Sequence, residues 1–226
     1  MWANLPELVR RKAWEPKSLS MRCDAHLDVA PEFAYGRHRG PAPCFAHHAA
    51  VLIGLVSNTN GSWSIPLTVR AKNLADHAGQ ISLPGGRSEA GETTWQTATR
   101  EFSEELGCSL DYILPVAQLH PVFVYASRHV VLPMVAVCTR HVEFKPNPDE
   151  VAELIFLPIE ELIDANAIRI ESMQRGTAHF EVPGFWVGEH FVWGATAMIL
   201  AELRSIVREL HNGNDHQGKQ KPWISN

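Results

Sequence analysis

Hydrophobic and polar positions follow two different periods along the chain, and the changes of period mark the predicted elements. The run from Ala49 to Val56 is wholly apolar apart from one glycine and predicts a buried strand. A turn at 58–61 and a second strand at 63–70 complete a predicted hairpin, although Pro66 weakens that strand or favours an edge position for it. Further strands are predicted at 80–83, 113–126, 130–139 and 151–157.

Helical periodicity is clearest from Thr93 to Leu106. This segment opens with a capping-box pattern, Thr-Thr-Trp-Gln, and Gly107 predicts its end. A shorter helix is predicted to begin at Pro158, and a long helix over 191–210. Strands mixed with a few helices predict an α+β fold, arranged as an α/β/α sandwich around a central sheet.

Composition changes along the chain suggest three regions. Residues 1–45 are predicted to form an N-terminal arm, with a short helix within 1–20 and a loop rich in proline and glycine over 21–45. Residues 46–211 are predicted to form the main domain. The polar tail at 212–226 is expected to be disordered.

Charge and cysteine content narrow the classes of function. A net charge of −5 and a pI near 6.2 argue against a broad nucleic-acid surface. The four cysteines are widely spaced and form no C-x-x-C pair, which fits a reducing compartment. The first 16 residues lack an apolar signal core, and no apolar run is long enough to cross a membrane. We therefore predict a cytoplasmic protein with no membrane partner.

Three glutamates crowd one side of the predicted helix at 93–106. Glu101, Glu104 and Glu105 lie three or four residues apart or side by side, where like charges repel, and they lie toward the helix end that disfavours anions. A hard divalent cation such as Mg²⁺ or Mn²⁺ would relieve this repulsion, because both ions prefer oxygen ligands. A solvated acidic face is the alternative for such a helix taken alone.

The turn before this helix favours the metal interpretation. Gly86 is followed after five residues by Glu92, and after seven more by Arg100. The pattern resembles the Nudix box, G-x5-E-x7-R-E-U-x-E-E-x-G-U, with every glycine, glutamate and arginine present: Gly86, Glu92, Arg100, Glu101, Glu104, Glu105 and Gly107. Phe102 and Cys108 replace the usual aliphatic residues, and both are apolar.

The resemblance implies a Nudix-type sandwich with a mixed sheet, and it assigns roles to the box residues. Metal ligands would be Glu101 and Glu105, then Glu104, with the Gly86 carbonyl as a further candidate; the expected catalytic residues are Arg100, Glu101, Glu104 and Glu105. Arg100 would orient a glutamate, and Glu92 would hold the loop in shape. The proton of the attacking water would pass to Glu101 or to a glutamate of a later loop, for which Glu150 and Glu153 are candidates. A solvent-exposed role is the alternative for those two.

The stretch at 67–86 indicates the substrate. It is similar to the motif of the CoA-pyrophosphatase branch, L-L-T-x-R-[SA]-x3-R-x3-G-x3-F-P-G-G, and it matches at Leu67, Thr68, Arg70, Ala71, Gly79, Pro84, Gly85 and Gly86. Ala75 stands where that branch has arginine, Leu83 replaces phenylalanine, and Pro66 replaces the first leucine. The run at 188–197 resembles a second motif of the same branch. Expected substrate contacts are Arg70 (for instance with the 3′-phosphate of CoA), Lys72, His77 and Gln80.

The resemblance therefore implies Mg²⁺- or Mn²⁺-dependent hydrolysis of CoA or acyl-CoA to 3′,5′-ADP and (acyl-)4′-phosphopantetheine. Ala75 keeps a second enzyme hypothesis open, a pyrophosphatase for ADP-ribose or a dinucleotide. A third hypothesis is a non-catalytic nucleotide sensor, which the intact glutamates disfavour. The expected partner is a small molecule rather than a nucleic acid, and a homodimer remains an option because members of the family often dimerise.

Overall fold

The structure, a computed structural model, describes residues 4–13, 24–30, 42–71 and 79–217. Its largest unit is an eight-stranded sheet. The strands are β1 (His47–Ser57), β2 (Trp63–Arg70), β3 (Ile81–Ser82), β4 (Gly85–Arg87), β5 (Ile113–Gln118), β6 (Val122–Val124), β7 (His129–Cys138) and β8 (Val151–Pro158).

The sheet is mixed. Its main path runs β3-β2-β1-β7-β5, while β4 pairs with β1, β6 with β7 and β8 with β2. Strands β1 and β7 are parallel, from His47 beside His129 to Val56 beside Cys138, and the other pairings are antiparallel. Residues 63–64 of β2 pair with β1, and residues 68–69 pair with β3. Pro66 lies between these two paired segments, so it does not need a backbone N–H to bond to either strand.

Helices cover both faces of this sheet, so the predicted α/β/α sandwich is confirmed. The helices are α1 (Leu5–Ala13), α2 (Thr94–Leu106), α3 (Ile159–Ile163) and α4 (Gly194–Gln217). Phe102 of α2 packs with Leu52 on one face, whereas Ile53 on the other face packs in a core shared with α1 and α4. Because β1 is buried on both faces, its sequence is a continuous apolar run rather than an alternating one.

A small antiparallel sheet was missed by the sequence patterns. It consists of β9 (Ile168–Arg175), β10 (Ala178–Val187) and β11 (His190–Trp193). Gly176 and Gly188 lie in its two turns with positive φ, and these glycines are the local signal that would have indicated hairpins. The long C-terminal helix begins at Gly194, not at residue 191 as predicted, because the preceding residues pair with β10.

The structure adds two elements at the predicted chain ends. Helix α4 continues to Gln217, past the predicted domain boundary at residue 211, and the rest of the predicted tail, 218–226, lies outside the described residues. The predicted loop at 21–45 contains a helical turn, whose 3₁₀ part is His26–Val29. Val29 of that turn and Leu5 of α1 are fully buried in the main core, so the described parts of the predicted arm pack against the domain.

A buried carboxylate fastens the 3₁₀ turn to the domain. Glu202 of α4 accepts hydrogen bonds from the His120 backbone N–H and imidazole, the latter at 2.7 Å, and lies 3.2 Å from His26 Nε2. These contacts lower the pKa of Glu202 to about 2, although burial alone would raise it.

Acid should therefore weaken the fold through Glu202. Because its pKa is lower in the folded state, its stabilising effect is present above its ordinary pKa of 4.5 and is lost as the pH falls toward 2. We expect the difference in unfolding free energy between wild type and Glu202→Gln to shrink by about 2 kcal/mol between pH 6 and pH 3. Urea unfolding of both proteins at the two pH values measures this, and an unchanged difference would contradict it.

No helix in the described part of the chain has the length and apolar character needed to span a membrane.

Candidate active site

Helix α2 carries the acidic side chains, and both of its ends are fixed as the sequence predicted. The Thr93 hydroxyl accepts the Gln96 N–H and the Gln96 side chain accepts the Thr93 N–H, which confirms the capping box. At the other end Gly107 has φ 60°, and a Cβ there would collide with the Lys145 carbonyl.

The segment after Phe144 closes the C-terminal end of α2. The backbone N–H groups of Lys145 and Asn147 donate to the carbonyls of Leu106 and Glu105, at 2.8 and 2.9 Å. These bonds satisfy carbonyls that would otherwise lack an intrahelical donor. They also fix the start of the turn that carries Glu150 toward the site.

Arg100 organises the acidic side chains. Its Nε and Nη2 donate to the two oxygens of Glu92, at 2.7 and 3.1 Å, in a bidentate pair. Nη1 donates to Glu101 at 2.8 Å and to Glu104 at 3.0 Å, and Nη2 also reaches the Arg87 carbonyl. Arg100 thus contacts Glu92, Glu101 and Glu104 directly, and its hydrogen bonds are the main cause that lowers the pKa of Glu92 to about 2. The orienting role of Arg100 and the loop-holding role of Glu92 stay predictions.

A lysine at position 100 should not replace this arginine. An ammonium group lacks the planar fork that pairs with Glu92 while also reaching Glu101. We expect Arg100→Lys to lower kcat/KM by about 10- to 100-fold, which is the usual effect of losing a group that orients metal ligands. Steady-state kinetics would test this, with the exposed Arg10→Lys as the matched control. Activity within twofold of wild type would contradict it.

Glycine at position 86 makes room for the carboxylate of Glu101. Gly86 lies in β4 opposite Ala50 of β1. A Cβ built on Gly86 would lie 2.5 Å from the Glu101 carboxyl carbon. The close approach of backbone and carboxylate therefore requires a residue without a side chain at this position.

Glu105 is the most deeply buried of the three glutamates. Its side chain is 5% exposed, Oε2 has no hydrogen-bond partner, and Arg70 Nη1 lies 4.0 Å from Oε1. Burial, with contributions from Glu101 and Glu150, raises its pKa to about 8 despite Arg70 and the Gly85 N–H. Burial also raises the pKa of Glu101. Desolvation is thus the main cause of both shifts, and it outweighs the contacts of Glu101 with Arg100 and of Glu105 with Arg70.

The remaining glutamates separate into different surroundings. Glu104 has a side chain that is 56% exposed and bonds to Arg100. Glu150 lines the same cleft as Glu101 and Glu105, whereas Glu153 lies 3.2 Å from His190 and is more than half exposed. Of the two later-loop candidates for a base, the structure brings only Glu150 to the cleft.

The cleft has a volume of about 710 Å³. It is lined by the end of β2, by β4, by α2 and by the turn before β7. Residues on its wall that sequence reasoning missed are Arg87, Ala126, Ser127 and His129. Arg87 falls in the variable part of the box, and the other three reach the cleft through the long-range pairing of β1 with β7, for which the sequence carries no local signal.

Of the four predicted substrate contacts, the structure describes two. Arg70 lines the cleft, and its Nε is buried without a hydrogen-bond partner. Gln80 lies beside it, since the Arg70 N–H donates to the Gln80 carbonyl at 3.0 Å. Lys72 and His77, and also Ala75, lie outside the described residues.

The donor set suits a hard divalent cation. Glu101 and Glu105 present carboxylates to one cleft, and the unpaired Oε2 of Glu105 is an oxygen for which the described residues supply no cation at bonding distance. As the side chains stand, no three His, Cys, Asp or Glu residues in the described ranges converge enough to hold a metal ion.

A mixed sheet between helices, with arginine-held glutamates on the wall of a cleft, is the arrangement expected of a hydrolase that acts on phosphoric anhydrides. Residues 46–176 match the model of the NUDIX domain, and the chain belongs to the Nudix hydrolase family. It is accordingly a Nudix pyrophosphohydrolase for small nucleotide substrates.

Several relatives resemble the chain over most of its length. It is 32% identical over 159 residues to an uncharacterised Nudix hydrolase, NudL, of Yersinia enterocolitica, covering 70% of this chain and 80% of that one. It is 33% identical to the chloroplastic Nudix hydrolase 22 of Arabidopsis thaliana, covering 70% and 55%. The crystal structure of the Nudix hydrolase RenU from M. smegmatis has the same fold, with a TM-score of 0.50, 17% identity and coverage of 88% and 98%.

Proposed function

We propose that this hydrolase cleaves the pyrophosphate of CoA or acyl-CoA, releasing 3′,5′-ADP and 4′-phosphopantetheine or its acyl form. The observation that carries the proposal is the position of Arg70. This arginine belongs to the stretch at 67–86 that resembles the CoA branch, and its guanidinium lies beside Glu105 on the wall of the cleft. The substrate motif and the box glutamates thus meet in one site.

Each side chain has its own expected role in the cleavage of the pyrophosphate bond. Water adds to one phosphorus, and the bridging oxygen leaves with the other phosphate. Arg70 would bind a phosphate oxygen of the pyrophosphate. Arg100 holds Glu101 in place, and either Glu101 or Glu150 accepts the proton of the water.

A divalent cation, Mg²⁺ or Mn²⁺, would be held by Glu101 and Glu105, with Glu104 and the Gly86 carbonyl as further ligands. It would neutralise the pyrophosphate charge and lower the pKa of the attacking water. The presence of both carboxylates in one cleft, and the Oε2 of Glu105 without a hydrogen-bond partner, support this assignment.

The alternative substrates are ADP-ribose and dinucleotides, and Ala75 in place of an arginine keeps them open. A panel with Mg²⁺ and with Mn²⁺ separates the hypotheses: CoA, acetyl-CoA, dephospho-CoA, ADP-ribose, NADH and a diadenosine polyphosphate, with products resolved by chromatography. We expect the highest kcat/KM with CoA species and 3′,5′-ADP as the product. A preference for another diphosphate would contradict the CoA assignment. If no compound is cleaved, the non-catalytic sensor hypothesis is favoured.

Two further properties remain predictions. A cytoplasmic location was expected from the cysteines, although two Arabidopsis relatives are named for the chloroplast and the mitochondrion. A homodimer would be tested by light scattering of the purified chain.

A further inference from the structure

The residues that line the active-site cleft form two walls of different charge. The acidic wall consists of Glu101, Glu105 and Glu150, together with Arg70, which lies 4.0 Å from Glu105. The other wall comes from β1, β4 and the turn before β7. Among its described residues are Arg87, Ser127 and His129 but no carboxylate, and we call it the basic wall. A phosphate placed against the basic wall therefore meets donors without a neighbouring negative charge.

Strand register puts the cationic side chains of the basic wall on one face of the sheet. Arg87 of β4 is paired with Ala49 of β1, so the two side chains share a face. His47 lies two residues before Ala49 and has the same orientation. It is paired with His129 of β7, and the two rings lie 5.3 Å apart. The side chain between Arg87 and the two histidines is the methyl group of Ala49, which also lines the cleft.

Two glycines connect this face with the glutamates on the other. Gly86 is paired with Ala50, whose side chain packs in the core under α2, and the carboxylate of Glu101 occupies the space where a Cβ of Gly86 would lie. The N–H of the preceding residue, Gly85, bonds to Glu105. Both glycines line the cleft, so the cleft crosses β4 at these residues. Two linked phosphates can thus contact the acidic wall with one phosphate and the basic wall with the other.

The turn before β7 is held in a conformation that serves the basic wall. Arg128 has φ 57°, in the left-handed region that residues other than glycine rarely adopt. Its carbonyl accepts the His47 N–H at 2.9 Å, which ties the turn to the start of β1. The residues on either side, Ser127 and His129, both line the cleft. Backbone strain of this kind is common where a structure positions functional side chains.

We propose that His129 and Arg87 bind the phosphate that leaves during hydrolysis, with Ser127 as a further donor. The water oxygen bonds to the phosphorus beside the glutamates, and the bond from that phosphorus to the bridging oxygen breaks. The electron pair stays on the bridging oxygen, so negative charge grows on the departing phosphate. An N–H of the His129 ring and the guanidinium of Arg87 donate hydrogen bonds to this phosphate and transfer no proton. The inference holds for any nucleoside diphosphate derivative and does not depend on CoA as the substrate.

Binding of methylenediphosphonate tests the proposal without turnover, because its carbon bridge cannot be hydrolysed. In isothermal titrations with Mg²⁺, His129→Asn and Arg87→Met should each weaken its binding about tenfold, the size of one charge-assisted hydrogen bond at a partly exposed site. Arg87→Met keeps the backbone carbonyl that accepts from Arg100. His141→Asn is the matched control, since His141 is exposed beyond the other end of β7, and it should bind as wild type does.

Proton NMR of the histidine rings gives a direct readout of the contact. The signal of His129 is identified by its absence from the spectrum of His129→Asn, and it should shift when methylenediphosphonate is added to the wild-type protein with Mg²⁺. Urea unfolding of His129→Asn and Arg87→Met should match wild type, which separates loss of a contact from loss of the fold. An unshifted His129 signal, with affinity unchanged in both variants, would overturn the proposal.

Kinetics distinguish this proposal from the choice of CoA as substrate. Because the charge on the departing phosphate grows in the transition state, His129→Asn and Arg87→Met should lower kcat by about 10- to 100-fold and change KM less. The factor should be the same for every substrate that wild type cleaves, since all contain the pyrophosphate. If wild type cleaves ADP-ribose but not CoA, the CoA assignment fails and the ADP-ribose rates test the basic wall.

Two kinetic results would contradict the basic wall as a phosphate site. One is a kcat within twofold of wild type in both variants. The other is a loss confined to one substrate, which would assign these residues to the nucleoside part instead of the pyrophosphate. If wild type cleaves no compound, the titrations and the His129 signal decide the phosphate site.

Discussion

Replacing Glu105 with glutamine is expected to abolish hydrolysis and, at the same time, to stabilise the metal-free protein. The first effect follows because a neutral amide is a poorer ligand for a divalent cation than a carboxylate. Losing several kcal/mol of transition-state stabilisation should lower kcat by about a thousandfold. The second follows because Glu105 is 5% exposed and one of its oxygens has no hydrogen-bond partner.

The gain in stability should depend on pH in a defined direction. The pKa of Glu105 is raised from 4.5 to about 8 in the folded chain, so burying it costs little below pH 4.5. The cost grows as the pH rises toward 8, because the unfolded chain then releases a proton that the folded chain retains. We expect Glu105→Gln to raise the unfolding free energy at pH 8 by about 1–3 kcal/mol, and less at pH 5.

Urea unfolding in EDTA, followed by the same measurement in Mg²⁺, tests both effects. Magnesium should stabilise wild type much more than Glu105→Gln, since a ligand that binds only the folded state shifts the unfolding equilibrium. The surface variant Glu143→Gln, whose side chain is 78% exposed, serves as the control and should behave as wild type. If Glu105→Gln keeps hydrolysis within a few-fold of wild type, Glu105 is not a metal ligand.

The second large effect is expected from Gly86→Ala. A methyl group on Gly86 would meet the Glu101 carboxylate at 2.5 Å, so the carboxylate must move by an ångström or more. A displacement of that size in a reacting group commonly costs about a hundredfold in rate. We expect kcat to fall by about that factor with the fold retained, as judged by circular dichroism and unfolding.

Gly61→Ala is the matched control, for which we expect a loss of stability without a loss of rate. Gly61 lies in the turn between β1 and β2 with φ 81°, and no atom lies within 4 Å of a Cβ placed there. The strained conformation should reduce stability by about 1 kcal/mol and leave kcat unchanged. If Gly86→Ala instead loses stability and keeps its rate, the glycine serves packing rather than the position of Glu101.

The sequence predicted best those features that depend on neighbours a few residues apart. The capping box of Thr93 and Gln96, the end of α2 at Gly107, and the proximity of Glu101 and Glu105 all follow from helical spacing. The box pattern covers this same segment. The main strands were also predicted, because β1 and β7 are long and apolar.

Features that depend on distant pairing could not be predicted in this way. His129 reaches the cleft because β7 pairs in parallel with β1, and Glu150 does so because the segment at 145–147 bonds to the end of α2. Nothing in the sequence near Glu150 and Glu153 distinguishes the two glutamates. The β9–β11 sheet was not predicted because only its turn glycines indicate hairpins. Pro183 and Gly184 also interrupt the alternating pattern of β10.

The central sheet divides the apolar interior into two cores, and α2 rests on the smaller one. Such a division allows one side of a protein to open while the other stays folded. The backbone amides of α2 should then exchange with deuterium through a local opening that costs less than global unfolding, whereas those of α4 exchange only when the whole chain unfolds. The catalytic helix would form a separate cooperative unit, and a ligand bound at its glutamates would slow its exchange selectively.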